Sequence, residues 1–145
     1  MRWLIRTFFR TLRRVLGPIM LLMEKLTTPR ALPRTAEEQA RLDAATRGLA
    51  LYQFRTCPFC IKVRREIARL SLNIELRDAQ WDAAHRQALL QGGGTVKVPC
   101  LRIPSTAGKE QWLYESSHIN AWLNELVETT LDQDKDVDGD VVTQA

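Results

Sequence analysis

A chain of 145 residues with net charge +4 has room for one domain of ordinary size plus extensions, and 45% hydrophobic with 26% charged residues is the balance of a globular core. The charge is uneven: residues 1–30 carry seven basic groups and one acidic, whereas residues 131–145 carry five aspartates and one lysine. Three cysteines, Cys57, Cys60 and Cys100, exclude a secreted disulfide framework, and no signal-peptide cleavage pattern is present, so a reducing cytoplasmic compartment is expected.

Residues 1–26 read as one basic amphipathic helix. At about 100° per residue, Arg2, Arg6, Arg10, Arg13 and Arg14 share an arc of about 120°. Leu4, Ile5, Phe8, Phe9, Leu12, Val15, Leu16, Ile19, Leu22, Met23 and Leu26 occupy the complementary arc. Gly17-Pro18 is expected to kink or divide the helix. The charge-free run Val15–Met23 is far short of the ~20 residues of a membrane span. An in-plane helix on an anionic membrane surface fits the pattern, at the inner face of a membrane; docking of the apolar arc onto the protein's own domain is the other reading. A nucleic-acid arm needs the basic arc but not a continuous apolar one, so no nucleic-acid partner is expected.

Residues 27–48 comprise a proline-punctuated linker, TTPRALPR, and a short helix opened by Thr35 and Glu38 at capping-box spacing and ended by Gly48. The domain proper spans 49–128. Leu49–Phe54 is a strand, Pro58–Leu70 a helix, Asn73–Arg77 a strand and Asp82–Leu90 a helix, with Gly92-Gly93-Gly94 expected as a flexible loop. Val98–Ile103 and Gln111–Tyr114 pair as a hairpin, and Ser117–Val127 closes the domain. Residues 129–145 form an acidic tail expected to be disordered. Within it Asp134–Gly139 resembles the start of a calcium loop, but its twelfth position is Ala145, so no calcium site is expected. The order β-α-β-α-β-β-α gives an α/β fold, a small mixed sheet flanked by helices with its first strand inside.

Cys57-Pro58-Phe59-Cys60 carries the chemistry. A structural zinc site needs four ligands, and Cys100, His85 and His118 form no second ligand pair, so no metal is expected. The pair stands where strand one meets its helix, with Pro58 at the first helical position, where its missing N–H costs nothing. The first-turn amides, the helix dipole, Arg55 and Lys62 all favour a thiolate at Cys57. Cys60, one turn in, is expected to be buried and less ionised. One exposed nucleophile and one resolving thiol make a redox pair. Cys100 reads as a buried small hydrophobe, and His85, His118, Trp112 and Trp122 as surface or packing residues.

Leu49 to about Val127 resembles glutaredoxin, in the thioredoxin-like superfamily, on two motifs: Cys57-Pro58-Phe59-Cys60 at the first strand–helix junction and Val98-Pro99 about forty residues later. The resemblance implies a glutathione-dependent thiol–disulfide oxidoreductase in which Cys57 is the nucleophile and Cys60 the resolving thiol. Glutathione serves as co-substrate, and disulfides or glutathionylated molecules are the substrates. It further implies a cis-proline at Pro99 opposite Cys57, with the Val98 backbone free to pair with the cysteinyl part of glutathione. Arg55, Phe59 and Lys97 complete that side of the site, Lys97 or Arg55 meeting the glycine carboxylate. In place of the usual Gly-Gly-X-Asp-Asp-like turn this chain has Tyr114-Glu115-Ser116-Ser117, similar to the Glu/Gln-Ser motif of glutathione transferase N-terminal domains. Glu115 is then expected to pair with the ligand ammonium, and Ser116 or Ser117 to cap the last helix where its amides receive the γ-glutamyl carboxylate. Two alternatives stay open. One is a glutathione-binding transferase or isomerase module, whose apolar substrate pocket the 18 residues after Val127 are too few to build. The other is a non-enzymatic membrane-docked module holding glutathione or an iron–sulfur cluster, which Pro58 and the second cysteine disfavour.

Overall fold

The computed structural model describes residues 2–105 and 107–133. The calcium-loop reading and the tail from residue 134 onward lie outside the described residues. Nine elements follow in order: α1 (Arg2–Thr27), α2 (Ala36–Ala45), β1 (Ala50–Gln53), α3 (Pro58–Arg69), β2 (Glu75–Asp78), α4 (Ala83–Gly93), β3 (Cys100–Ile103), β4 (Gln111–Tyr114) and α5 (Ser116–Asp132).

The four strands form one sheet in the order β2-β1-β3-β4. β1 pairs parallel with β2 and antiparallel with β3, so it lies inside the sheet and is buried along its whole length. Successive side chains of a strand point to opposite faces. Leu49, Leu51 and Leu101 therefore meet Val63, Ile67, Ile119 and Leu123 of α3 and α5 on one face, with Leu42 of α2. Ala50, Tyr52 and Cys100 meet Leu89 of α4 on the other face. Each fully buried leucine there contributes about 1.5–3 kcal/mol. This is the thioredoxin-like arrangement of a mixed sheet between helical layers.

Besides shifts of one or two residues at element ends, with β2 at Glu75–Asp78 rather than Asn73–Arg77 and β3 beginning at Cys100 rather than Val98, four features differ from the sequence reading. α1 is a single helix through Pro18 rather than two pieces. The carbonyl that Pro18 deprives of a donor belongs to Arg14, an exposed residue, so it can accept from water instead. α5 continues to Asp132, so the first residues assigned to the tail are helical. Gly92 and Gly93 are not loop but the last turn of α4, and Gly94 caps it at φ 83°. The reason is lateral: a Cβ on Gly92 would lie 2.0 Å from the Trp112 ring, and one on Gly93 2.0 Å from the Tyr114 hydroxyl oxygen. Glycine lets β4 press its aromatic side chains against the helix backbone, where Trp112 also packs on Tyr52 at 5.3 Å between ring centroids. The fourth difference is the cap of α5. Glu115, not a serine, is its N-cap and makes no side-chain capping bond, while Ser116 is the first helical residue and is buried.

α1 lies along the sheet end that carries the cysteines. Its contact side is Gly17, Met20, Leu21 and Glu24, the continuation of the arginine arc rather than the apolar one. A Cβ on Gly17 would come within 3.4 Å of Thr56. Glu24, the lone acidic residue of the first thirty, accepts from Arg64 Nε and Nη2 at 2.6 Å each, and this pair is largely screened from solvent. Arg65 donates to the Thr27 carbonyl at 2.8 Å. Apart from Phe9, Leu12 and Leu16, the apolar arc faces away: Leu4, Ile5, Phe8, Val15, Ile19, Leu22, Met23 and Leu26 are exposed, so the helix does not dock through that face onto its own domain. Among the described residues no helix is long and apolar enough to cross a membrane.

Candidate active site

The β1–α3 junction sets the first thiol. Cys57 is the N-cap of α3 with extended backbone (φ −78°, ψ 122°), and its side chain makes no capping bond. Its N–H donates to the Phe54 carbonyl at 3.2 Å and its carbonyl accepts from Ile61 at 2.9 Å, which fixes the residue at the end of the helix. The Sγ atom thus stands at the positive end of a twelve-residue dipole. Pro58 is the first helical residue, as the motif required.

Cys60 is fully buried one turn on. Burial pushes its thiol up to about 12, opposed by the Phe54 backbone and reinforced by the neighbouring Cys57 sulfur. The two cysteines therefore differ in environment: one half-buried at a helix terminus, the other enclosed and held protonated. Both are free thiols. Cys100 is buried on the α4 side of the sheet, and burial pushes its thiol up to about 11, so it behaves as an apolar core group.

Arg64 braces the junction from below. Besides Glu24, its guanidinium reaches the Gln53 side-chain oxygen and donates to the Arg55 carbonyl at 2.9 Å. One side chain thereby ties α1, the end of β1 and the turn before Cys57 together.

The other expected ligand-side residues converge in part. The Val98–Pro99 peptide is cis. Val98 is half-buried against the Tyr52–Cys100 cluster, and Pro99 is buried. Lys97 and Glu115 form an ion pair, and this contact with Lys97 holds the Glu115 carboxyl below the usual carboxylate range. Lys97 in this structure therefore belongs to the Glu115 end of the site rather than to a separate carboxylate subsite. Glu115 has φ 70°, a left-handed conformation that costs a non-glycine residue about 1–3 kcal/mol. Phe59 is exposed on the first turn of α3. Arg55 is exposed, on the side of Cys57 that faces α1. His85 packs its ring edge-on to Tyr52 at 6.3 Å, and His118 is exposed on α5. Among the described residues no group of three or more His, Cys, Asp or Glu side chains is arranged to hold a metal ion.

Two neighbouring clefts, on which the sequence reading was silent, flank Cys57. The first, about 470 Å³, is lined by Phe9, Leu12, Leu16 and Met20 of α1 with Phe54 and Cys57. The second, about 750 Å³, is lined by Arg10, Arg13, Arg14, Arg55, Gln80 and Trp81 among others. An apolar wall beside the thiol is thus supplied by α1. The signal for it is Glu24, the lone acidic residue on the arginine arc, which Gly17, Met20 and Leu21 continue without charge.

The family model described as glutathione S-transferase, N-terminal domain, matches residues 51–130, more than half of the chain. No curated protein and no solved structure matches it.

Proposed function

Because the chain belongs to the glutathione S-transferase N-terminal domain family, we propose that it binds glutathione and acts as a glutathione-dependent thiol–disulfide oxidoreductase, with Cys57 as nucleophile. The observation that carries this reading is the asymmetry of the cysteine pair. Cys57 stands uncapped at a helix N-terminus, and Cys60 is enclosed behind it with its thiol pushed up to about 12. In the reaction the Cys57 thiolate attacks the glutathione sulfur of a mixed disulfide. The substrate thiolate leaves and takes a proton from solvent, and a Cys57–glutathione disulfide forms. A second glutathione thiolate then attacks the glutathione sulfur of that adduct, releasing oxidised glutathione and the Cys57 thiolate. Alternatively Cys60 gives up its proton and attacks the Cys57 sulfur, releasing glutathione and forming a Cys57–Cys60 disulfide that two further glutathiones reduce, leaving as oxidised glutathione. The direct test is intact mass of the Cys60→Ser protein after exposure to oxidised glutathione. One glutathione adduct is expected, and none when Cys57 is also replaced. Adduct formation independent of Cys57 would sink the reading.

For the ligand, the cysteinyl backbone of glutathione pairs with Val98, with Phe59 beside it and Arg55 toward the glycine carboxylate. The γ-glutamyl end exchanges with the Lys97–Glu115 pair at the start of α5. A left-handed Glu115 supports this, since strained backbone is retained where a ligand is clamped. The amides of the first α5 turn, with Ser116 as its first residue, receive the γ-glutamyl carboxylate. Glu115→Ala is expected to raise the Michaelis constant for glutathione while kcat changes little, because a charge-assisted contact of ~1.5–3 kcal/mol is lost from binding. The same change leaves an alanine at φ 70°, so Glu115→Gly serves as its partner. Glycine there is expected to raise the midpoint of thermal unfolding while raising the Michaelis constant as alanine does. Kinetics unchanged in both variants would remove Glu115 from the site.

The outward apolar arc of α1 supports a peripheral position on an anionic membrane at its cytoplasmic face. Eight large apolar side chains in water form a patch that a lipid interface would cover, and each basic residue near a charged leaflet adds ~1 kcal/mol. Full-length protein is expected to float with acidic liposomes, less so at high salt, and much less as Phe8→Glu/Ile19→Glu. Equal flotation of both proteins would show that this face is not the contact.

A further inference from the structure

The two clefts flanking Cys57 differ in chemistry and meet at shared residues. Arg13, Gly17 and Thr56 line both. On one side stand Phe9, Leu12, Leu16 and Met20, with Cys57 itself in the wall. On the other stand Arg10, Arg13, Arg14 and Arg55 around the exposed indole of Trp81. Among the described residues none of these four guanidiniums is paired with a carboxylate, whereas Arg64 just below is neutralised by Glu24. A cleft of about 300–1,000 Å³ is the size that holds a small organic molecule. Unpaired guanidiniums around such a cleft, beside an apolar slot, are complementary to one kind of guest: an apolar body carrying an anionic group.

We propose that the two clefts together form the binding site for the substrate's leaving thiol, and that this thiol is an amphipathic anion. Its apolar chain lies between α1 and Phe54, and its carboxylate or similar anionic group lies among Arg13, Arg14, Arg10 and Arg55. The inference rests on the thiol–disulfide reading for its chemistry. The Cys57 thiolate attacks the glutathione sulfur of the mixed disulfide, the disulfide bond breaks, and the amphiphile departs from the cleft as a thiolate that takes up a proton. α1 then has two working faces. The side toward the domain, where Phe9, Leu12 and Leu16 border the apolar arc, selects the substrate, and the rest of that arc is left free for the lipid interface from which such an amphiphile partitions. Arg13 has the central place because it borders both the apolar and the cationic space.

The experiment compares three glutathione mixed disulfides with full-length protein: those of mercaptooctanoic acid, mercaptooctanol and mercaptoethanol. The expected order of kcat/KM is octanoate over octanol over ethanol, with about tenfold or more between the first and last, a factor readily measured. Arg13→Ala is expected to remove the preference of octanoate over octanol, and Leu16→Asn the preference of both over ethanol. Equal kcat/KM for the three disulfides, in protein that turns over the mercaptoethanol adduct, overturns the proposal. If none of the three is turned over, the redox reading fails, and the cleft is judged by binding alone. Octanoate is then titrated against the fluorescence of the protein, with Trp81→Phe identifying the responding indole. A saturable Trp81 response that Arg13→Ala weakens at least tenfold upholds the cleft; a response that is absent, or indifferent to Arg13, overturns it.

Discussion

Replacing Cys57 by serine is expected to lower turnover of a small glutathione mixed disulfide by about a thousandfold or more, because a hydroxyl has no ionised form near neutral pH to act as nucleophile. Cys60→Ser is expected to retain substantial activity, since glutathione itself can resolve the adduct. The burial of Cys60 sharpens the contrast. Its thiol, pushed up to about 12, stays protonated until the pH is far above neutral, so it neither attacks a free substrate in place of Cys57 nor reacts with iodoacetamide in the native state. Alkylation of native protein at pH 7 followed by peptide mapping should label Cys57, leaving Cys60 and Cys100 for the unfolded chain. Loss of activity as complete in Cys60→Ser as in Cys57→Ser would mean a strictly dithiol cycle, in which the second cysteine must close on the first.

A comparably large effect, on stability, is expected from Gly92→Ala. Alanine is ordinarily the better helix residue by about 1 kcal/mol, so local propensity predicts a gain. The tertiary contact reverses the sign. A methyl on residue 92 would overlap the Trp112 ring at 2.0 Å, and the ring is held from its other side by Tyr52. Displacing it strains a packed cluster, which costs about 1–3 kcal/mol and lowers the unfolding midpoint by roughly 5–15 °C for a domain of this size. Gly94→Ala is the comparison: nothing lies within 4 Å of that Cβ, so its cost is confined to the left-handed backbone. Thermal unfolding followed by circular dichroism separates the two. If Gly92→Ala is neutral or stabilising, the α4–β4 packing is looser than described.

Much of the domain was legible because its signals are local. The capping box at Thr35 and Glu38 forms as the spacing required. The strand before Cys57, the helix after it and the Gln111–Tyr114 strand stand within a residue or so of their expected bounds, since turn residues and apolar periodicity mark such ends. The glycine run was misread for the same reason. Three glycines in sequence look like a loop to any local rule, and only the distant Trp112 and Tyr114 require two of them inside a helix. The cap of α5 was misread because serine is the commoner N-cap, whereas here the chain reaches α5 through a left-handed Glu115 paired with Lys97.

The residue pattern alone determined the helix α1, its two arcs, the α/β order of the domain and the position of the cysteine pair at a strand–helix junction. These follow from periods of 3.6 and 2 and from turn chemistry, which act over a few neighbours. Which arc of α1 meets the domain was decided only in three dimensions. A helical wheel ranks faces by polarity, and on that ranking the leucine arc should be the buried one. The structure turns the helix the other way, with Gly17 packed beside Thr56, because Glu24 finds Arg64, forty residues further along the chain. A partly buried, bidentate ion pair needs both partners at one place, and no local rule carries that information. The same rotation brings Arg13, with Phe9, Leu12 and Leu16, beside Cys57 and leaves the rest of the apolar arc outside. The position of the thiol was therefore written in four consecutive residues, and the shape of what surrounds it in contacts between segments remote in sequence.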